Sequence, residues 1–234
     1  MPAVVRRNMR ISVIIAAYNA EAYIAEAVES VLGQTRAPDE VIVVNDGSTD
    51  RTRAVLDRFG GHIACLSQPN RGQAAAVNRA LATASGDALS FCDADDVWMP
   101  QKLALQIALL DRFPEIDAVF GQVEQFVSPD VPEQHRARLQ PPNPIVRGEA
   151  KLTILVRRAA LDRIGPFDEA LPATFFIEWL GRAKRMGLNH RYVDDTIARR
   201  RLHLANGGRT NTDAQNIETL MALRQAIKRS RPPD

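Results

Sequence analysis

Four short apolar runs, ISVIIAAY (11–18), DEVIVVND (39–46), HIACLSQ (62–68) and DALSFCD (87–93), divide the first hundred residues at intervals that each leave room for a helix. Their unbroken Val and Ile content is that of strands buried on both faces, because a strand with one wet face alternates apolar with polar. The segments between them read as helices. Residues 20–35 place Ile24, Val28, Val31 and Leu32 at helical spacing. Residues 48–61 open on Ser, Thr and Asp capping chemistry and close on glycine, and 72–86 is alanine-rich and ends at Gly86. Strands alternating with helices demand βαβ crossovers and a mostly parallel sheet flanked by helices. In such α/β sheets ligands sit beyond the carboxyl ends of the strands. Two acidic turns fall there: Asn45-Asp46-Gly47-Ser48 and Asp93-Ala94-Asp95-Asp96.

Beyond Pro100 the pattern loosens. Residues 99–113 predict an amphipathic helix and 115–126 a strand. The proline-rich stretch 127–150 reads as a long loop, of the kind that serves as a lid or binding loop. A strand and a short helix follow in 151–171, a helix in 175–187, one or two strands in 190–203 and a terminal helix in 213–229. The 234 residues carry no internal repeat or clear linker, so the expectation is one compact domain, 1–234. Within it, about 10–113 forms a nucleotide half and about 114–234 a variable half with a flexible 127–150 loop. A net charge of +2 is too small to imply nucleic acid. The basic stretch from Arg199 to Arg231 leaves peripheral contact with an anionic membrane open. No apolar run approaches the ~18 residues of a membrane span, and MPAVVRRNMR lacks the apolar core of a signal peptide, so the reading is cytoplasmic. Cys65 and Cys92 lie in strand-like runs and read as buried thiols.

The decapeptide FCDADDVWMP (91–100) packs three carboxylates into four residues. At ~4 Å and an effective dielectric of ~20 one such pair costs roughly 4 kcal/mol before screening. A spacing of two sends the Asp93 and Asp95 side chains the same way and Asp96 elsewhere. Two hard oxygen donors side by side suit Mg²⁺ or Mn²⁺, which take one or two carboxylates together with substrate phosphates. Asp46 has two readings: an Asx turn or cap, or a carboxylate that accepts hydrogen bonds from a base or sugar.

The segments ISVIIAAYNAEAYIAEAVESVLGQTRAPDEVIVVNDGSTDRT and QPNRGQAAAVNRALATASGDALSFCDADDVWMP resemble the family 2 glycosyltransferases of GT-A fold. The likeness is dense over about 11–113 and returns in RRAALDRIGPFDEAL and RRRLHLANGG. It implies an inverting transferase that uses a nucleotide-activated sugar, with UDP the leading nucleotide, and a divalent metal. By that resemblance Ala17, Tyr18 and Asn19 line the nucleotide pocket and Asp46 contacts the base. Arg71 lies near nucleotide or phosphate, and Arg201 contacts the diphosphate. Asp95 ligates the metal, Asp93 faces ribose or metal, and His203, in the R-x-H-x-x-N segment, takes a phosphate or metal role. The Glu-Asp pair that the family usually shows is replaced by Phe175 and Phe176, so the catalytic base falls to Glu178, with Asp168 and Glu169 as second choices. Glycan, lipid-linked sugar, peptide and small-molecule acceptors all stay open, as does homo-oligomer formation. A sugar-phosphate nucleotidyltransferase would need a glycine-rich phosphate loop where this chain has AAYNAEAY. A non-catalytic or weakly active sugar-nucleotide-binding module is the other alternative, raised by the two phenylalanines.

Overall fold

The computed structural model describes residues 9–206, and the helix expected over 213–229 lies outside them. Its first half alternates β1 (Ile11–Ala17), α1 (Ile24–Leu32), β2 (Glu40–Asp46), α2 (Thr52–Asp57), β3 (Ala64–Gln68), α3 (Gln73–Thr83) and β4 (Ala88–Asp93). The chain continues through β5 (Val97–Trp98), α4 (Lys102–Arg112), β6 (Ala118–Val127), α5 (Glu133–Leu139) and β7 (Ile145–Gly148). It then forms β8 (Leu155–Arg157), α6 (Arg158–Ile164), α7 (Phe175–Arg185) and β9 (His190–Leu202). The strands join in one sheet of order β3-β2-β1-β4-β8-β6-β9-β5, with β7 hydrogen-bonded to β6.

The ladders among β3, β2, β1 and β4 are parallel. So is the longest pairing of the second half, β6 with β9. Beta8 runs antiparallel between β4 and β6, and the two short strands β5 and β7 are antiparallel to their neighbours. Both faces of the sheet are covered. Ile11, Val13, Ile15 and Ala17 of β1 pack with Ile24, Val28 and Val31 of α1 and with Leu103 and Leu110 of α4. Ile14 and Ala16 point the other way, towards Ala74, Val77 and Ala80 of α3 and Phe175, Phe176 and Trp179 of α7. The period of two along a wholly apolar strand therefore feeds two cores at once. Among the described residues no helix is long and apolar enough to cross a membrane.

One expectation needs correction. The stretch 127–150 is not a featureless loop, because it holds α5 and the edge strand β7. Of the one or two strands expected in 190–203 there is one, His190–Leu202, with register shifts opposite Phe120 to Val123 that bend it without breaking it. That continuity matters for the site. Beta9 runs alongside β6, meets β5 through Val97 opposite Arg199, and so delivers Arg201 and His203 beneath the Asp93–Asp96 turn.

Candidate functional site

At the carboxyl ends of β1, β2 and β4 lies a cleft of about 740 Å³, lined by Ala17, Tyr18, Asn19, Asp46, Asp93, Asp95 and His203 among others. Its back wall is made by two interlocked loops. Asn19 adopts a left-handed backbone (φ 46°), and its amide donates to Ser48 Oγ at 3.0 Å while its side-chain oxygen accepts from the Thr49 amide at 2.8 Å. The Ala20 amide donates to Thr52 Oγ1 at 2.7 Å, and Asp50 Oδ1 accepts from the Thr52 amide at 2.9 Å, at the first residue of α2. Tyr18 is left 51% exposed on this wall. Gly47 turns the loop after β2 with φ +73°, and a Cβ there would come within 2.5 Å of the Asn70 amide, so only glycine fits.

The three carboxylates of the front turn are handled separately. Asp93 Oδ1 accepts from Gln73 Nε2 at 2.8 Å and is ion-paired with Lys151. Asp95 Oδ2 accepts from Asn206 Nδ2 at 3.2 Å and lies 3.0 Å from His203 Nε2. Burial alone would raise the Asp95 carboxyl, but the hydrogen bond and charge of His203 outweigh it and hold Asp95 below its ordinary value. Asp96 is 4% exposed and accepts from the Arg201 amide at 2.8 Å. Burial first, then the charges of Asp93 and Asp95, push Asp96 well above the usual carboxylate range. The repulsion written into the sequence is thus relieved by a lysine, a histidine and an acid that resists ionisation. Among the described residues no group of three or more His, Cys, Asp or Glu side chains converges as a metal cage.

The model of glycosyl transferase family 2 matches residues 12–165, well over half of the chain. The chain belongs to glycosyltransferase family 2. An uncharacterised glycosyltransferase of Rickettsia typhi is 30% identical over 229 residues, covering 91% of this chain and 70% of that protein. The Escherichia coli UDP-Glc:alpha-D-GlcNAc-diphosphoundecaprenol beta-1,3-glucosyltransferase WfgD is 41% identical over 116 residues, 49% of this chain and 46% of its own. Among solved structures, the Pyrobaculum calidifontis mannosyltransferase PcManGT, in complex with GDP-Man and Mn²⁺, superposes with a TM-score of 0.68 at 23% identity. That match covers 97% of this chain and 67% of the mannosyltransferase. The fold is the GT-A fold. The chain spans as little as 31% of the length of another curated relative.

Within this glycosyltransferase, several of the residues singled out in the sequence stand apart from the cleft. Arg201 is buried: its Nε donates to the Asp95 carbonyl at 2.9 Å, one terminal nitrogen to Ser128 Oγ at 3.2 Å, and the other pairs with Glu26. With its guanidinium also over Tyr23 and Phe126, it holds the acidic turn in place and does not reach into the cleft as a diphosphate ligand would. Arg71 points outward to Glu169 at 2.9 Å, although its backbone amide donates to Asp46. Asp46 does line the cleft, but its carboxylate already accepts from Gln68 Nε2 (2.7 Å) and from the Arg71 (3.0 Å) and Gly72 (2.8 Å) amides. Its geometry is that of a loop anchor. Glu178, expected as the base, is 6% exposed at its side chain and bridged to Arg182 at 3.0 Å, on a helix whose Phe175, Phe176 and Trp179 are core. Glu178 is not among the residues that line the cleft. Lys151, Gln73 and Asn206 escaped the sequence reading. Asn206 had a signal, the final position of the R-x-H-x-x-N segment; Lys151, an isolated lysine after a proline-rich stretch, had none.

Proposed function

We infer that the cleft takes a nucleoside diphosphate sugar and that the protein transfers the sugar to an acceptor hydroxyl with inversion. The observation that carries this reading is the meeting of Asp95 with His203 in a cleft that Tyr18 also lines. Tyr18 offers a flat apolar face on which a nucleobase can stack, a contact typically worth about 1–3 kcal/mol. The loops at 17–20 and 45–50 then enclose the ribose. UDP is favoured over GDP as the nucleotide because the relative that covers half of this chain at 41% identity is named for UDP-Glc.

The residues present fit a divalent ion. A carboxylate held ionised and an imidazole beside it are oxygen and nitrogen donors of the kind Mn²⁺ accepts. Mn²⁺ and Mg²⁺ need only one or two protein carboxylates when phosphates and water complete the shell, so a full protein cage is not required. Asp95 and His203 would hold the ion. Bound there, it would neutralise charge gathering on the departing diphosphate. The chain's own contribution is orientation: Arg201 fixes the Asp95 carbonyl, and Asn206 fixes the Asp95 carboxylate.

Inversion needs a carboxylate to take the acceptor proton as the hydroxyl attacks. Glu169 is the carboxylate we favour over Glu178. It is solvent-accessible and held by Asn78 Nδ2 at 3.1 Å and by Arg71, the residue next to Gly72 of the cleft wall. The burial of Phe175 and Phe176 favours one rival, a module that binds donor without transfer. A panel of UDP- and GDP-sugars screened for Mn²⁺-dependent thermal stabilisation, then for nucleotide release with mixed glycan and lipid-linked acceptors, separates the two. Stabilisation with turnover is expected; stabilisation with no turnover in any acceptor pool would favour the binding module, and no stabilisation by any donor would reject both.

A further inference from the structure

We propose that Lys151 is a positioning residue that keeps Asp93 away from the metal, so that the cation subsite has a single carboxylate, Asp95. The proposal rests on the reading of the cleft as a metal-assisted donor site and concerns how the chain divides its acidic pair. Asp93 and Asp95 both line the cleft, and by charge alone either could ligate. Lys151 does not line it. It stands behind Asp93, 10% exposed at the side chain, with its ammonium on the Asp93 Oδ1 that also accepts from Gln73. A lysine so placed is not a flexible surface partner. It belongs to the short 3-10 turn Lys151–Thr153, whose Thr153 is buried and donates back through Oγ1 to the Gly148 and Ala150 carbonyls. The next residue, Ile154, is core and its carbonyl accepts from Ser90 Oγ of β4. The turn is therefore bolted to the strand that carries Asp93 itself.

The consequence is electrostatic. An ammonium and a divalent cation that share one carboxylate repel each other, and the ammonium is covalently fixed in place while the metal is free to leave. Asp95 carries no ammonium in direct contact: it is bonded to an imidazole and an amide, and the Lys151 charge reaches it only through space. Asp93, neutralised from behind, is left to accept hydrogen bonds from donor hydroxyls through the carboxylate face turned to the cleft. No covalent or redox step is involved.

The test is Mn²⁺ affinity without nucleotide, read from the free-ion electron paramagnetic resonance signal on the full-length protein, with circular dichroism confirming the fold of each variant. Asp95→Asn should reduce Mn²⁺ affinity at least tenfold, and Asp93→Asn should leave it within about twofold. Lys151→Met should tighten binding about tenfold by releasing Asp93, the size of effect common for groups surrounding a metal's ligands. Adding Asp93→Asn to Lys151→Met should cancel that gain, and Lys151→Arg, which restores the cation, should return the unmodified affinity. Loss of binding in Asp93→Asn equal to that in Asp95→Asn would overturn the proposal, as would an unchanged affinity in a folded Lys151→Met. If Lys151→Met does not fold, Lys151→Gln is the second variant, with the same expected direction. Failure of the unmodified protein to bind Mn²⁺, or indifference to Asp95→Asn, would instead overturn the metal reading of the cleft and this proposal with it.

Discussion

Three consecutive-looking acids in one turn are, at the level of single side chains, three different chemical species. Asp93 is salt-bridged, Asp95 is held ionised beside an imidazole, and Asp96 is buried and raised. The sequence announced the cluster and its placement at a strand end, but not the partners, because Lys151, His203 and Asn206 come from 58, 108 and 111 residues away. The same blindness applies to acids on helices. Glu178 carries the right charge in the right helix, yet its rotation against Arg182 is set by packing of Phe175, Phe176 and Trp179, which no local pattern encodes. Glu178→Gln is accordingly expected to lower thermal stability while retaining most transfer, whereas Glu169→Gln should keep donor affinity within about twofold and cut turnover by 10²-fold or more, the usual range for a general base. Isothermal titration with donor and a nucleotide-release assay check both arms. A second residue-scale expectation concerns Lys102. Fully buried, with Ser90 Oγ at 3.0 Å and Gln106 Oε1 at 2.7 Å, its ammonium is pushed by burial down to about 7. Because the unfolded chain keeps that proton up to the ordinary lysine range, near 10.5, folding releases it in between, and the Lys102 contribution to stability rises from pH 7 towards 10.5. Thermal unfolding at pH 7.5 and 9.5 should show a larger gain for the unmodified protein than for Lys102→Met; equal gains would refute it.

Elements carry their own constraints. The amino ends of β1 and β2 and the turn before β4 are pinned by one carboxylate: Glu40 Oε1 accepts from Ser12 Oγ, the Ser85 amide and hydroxyl, and the Gly86 amide. Burial would raise Glu40, but these donors outweigh it and hold it below its ordinary value. A carboxyl lowered on folding stabilises above its unfolded pKa and loses that contribution as pH falls through its folded one. Glu40→Gln should therefore cost about 1–3 kcal/mol at pH 7, and the deficit relative to the unmodified protein should shrink below about pH 4, read from denaturant midpoints. Gly86 is part of the same junction: a Cβ there would approach Ser12 Oγ to 2.5 Å and its amide to 2.6 Å. Gly86→Ala is expected to destabilise by roughly 1–3 kcal/mol through overpacking, measured in the same titration. Elements of the first half were legible because their apolar runs are long and bounded by glycine. Those of 127–150 were not, since α5 is seven residues of charged sequence and β7 is a four-residue edge strand whose Ile145 and Val146 stay exposed.

For the molecule as a whole, the sheet runs unbroken from β3 to β5, so the two halves read from the sequence are one covered layer and not two bodies. The α/β class followed from alternation alone; the antiparallel insertion of β8 between β4 and β6 did not, because a three-residue strand, Leu155-Val156-Arg157, carries no directional signal. Donor binding should act on this entire layer. A ligand held by loops after β1 and β4 and by His203 after β9 stabilises the native state by mass action, about 2.7 kcal/mol at a hundredfold excess over Kd. Asp95→Asn should abolish the Mn²⁺-dependent part of that stabilisation in differential scanning calorimetry, leaving the unliganded melting temperature within a few degrees.

Beta9 crosses back from the second half to complete the turn that β4 begins, and it does so through backbone pairing to β5 and β6. Cleaving the polypeptide between α5 and β7 would therefore leave two pieces, one holding Asp95 and the other His203, that depend on reassembly to bring the pair together again. Activity recovered from such a nicked protein would fade on dilution with the square-law dependence of a bimolecular complex, turning catalytic output into a gauge of strand docking.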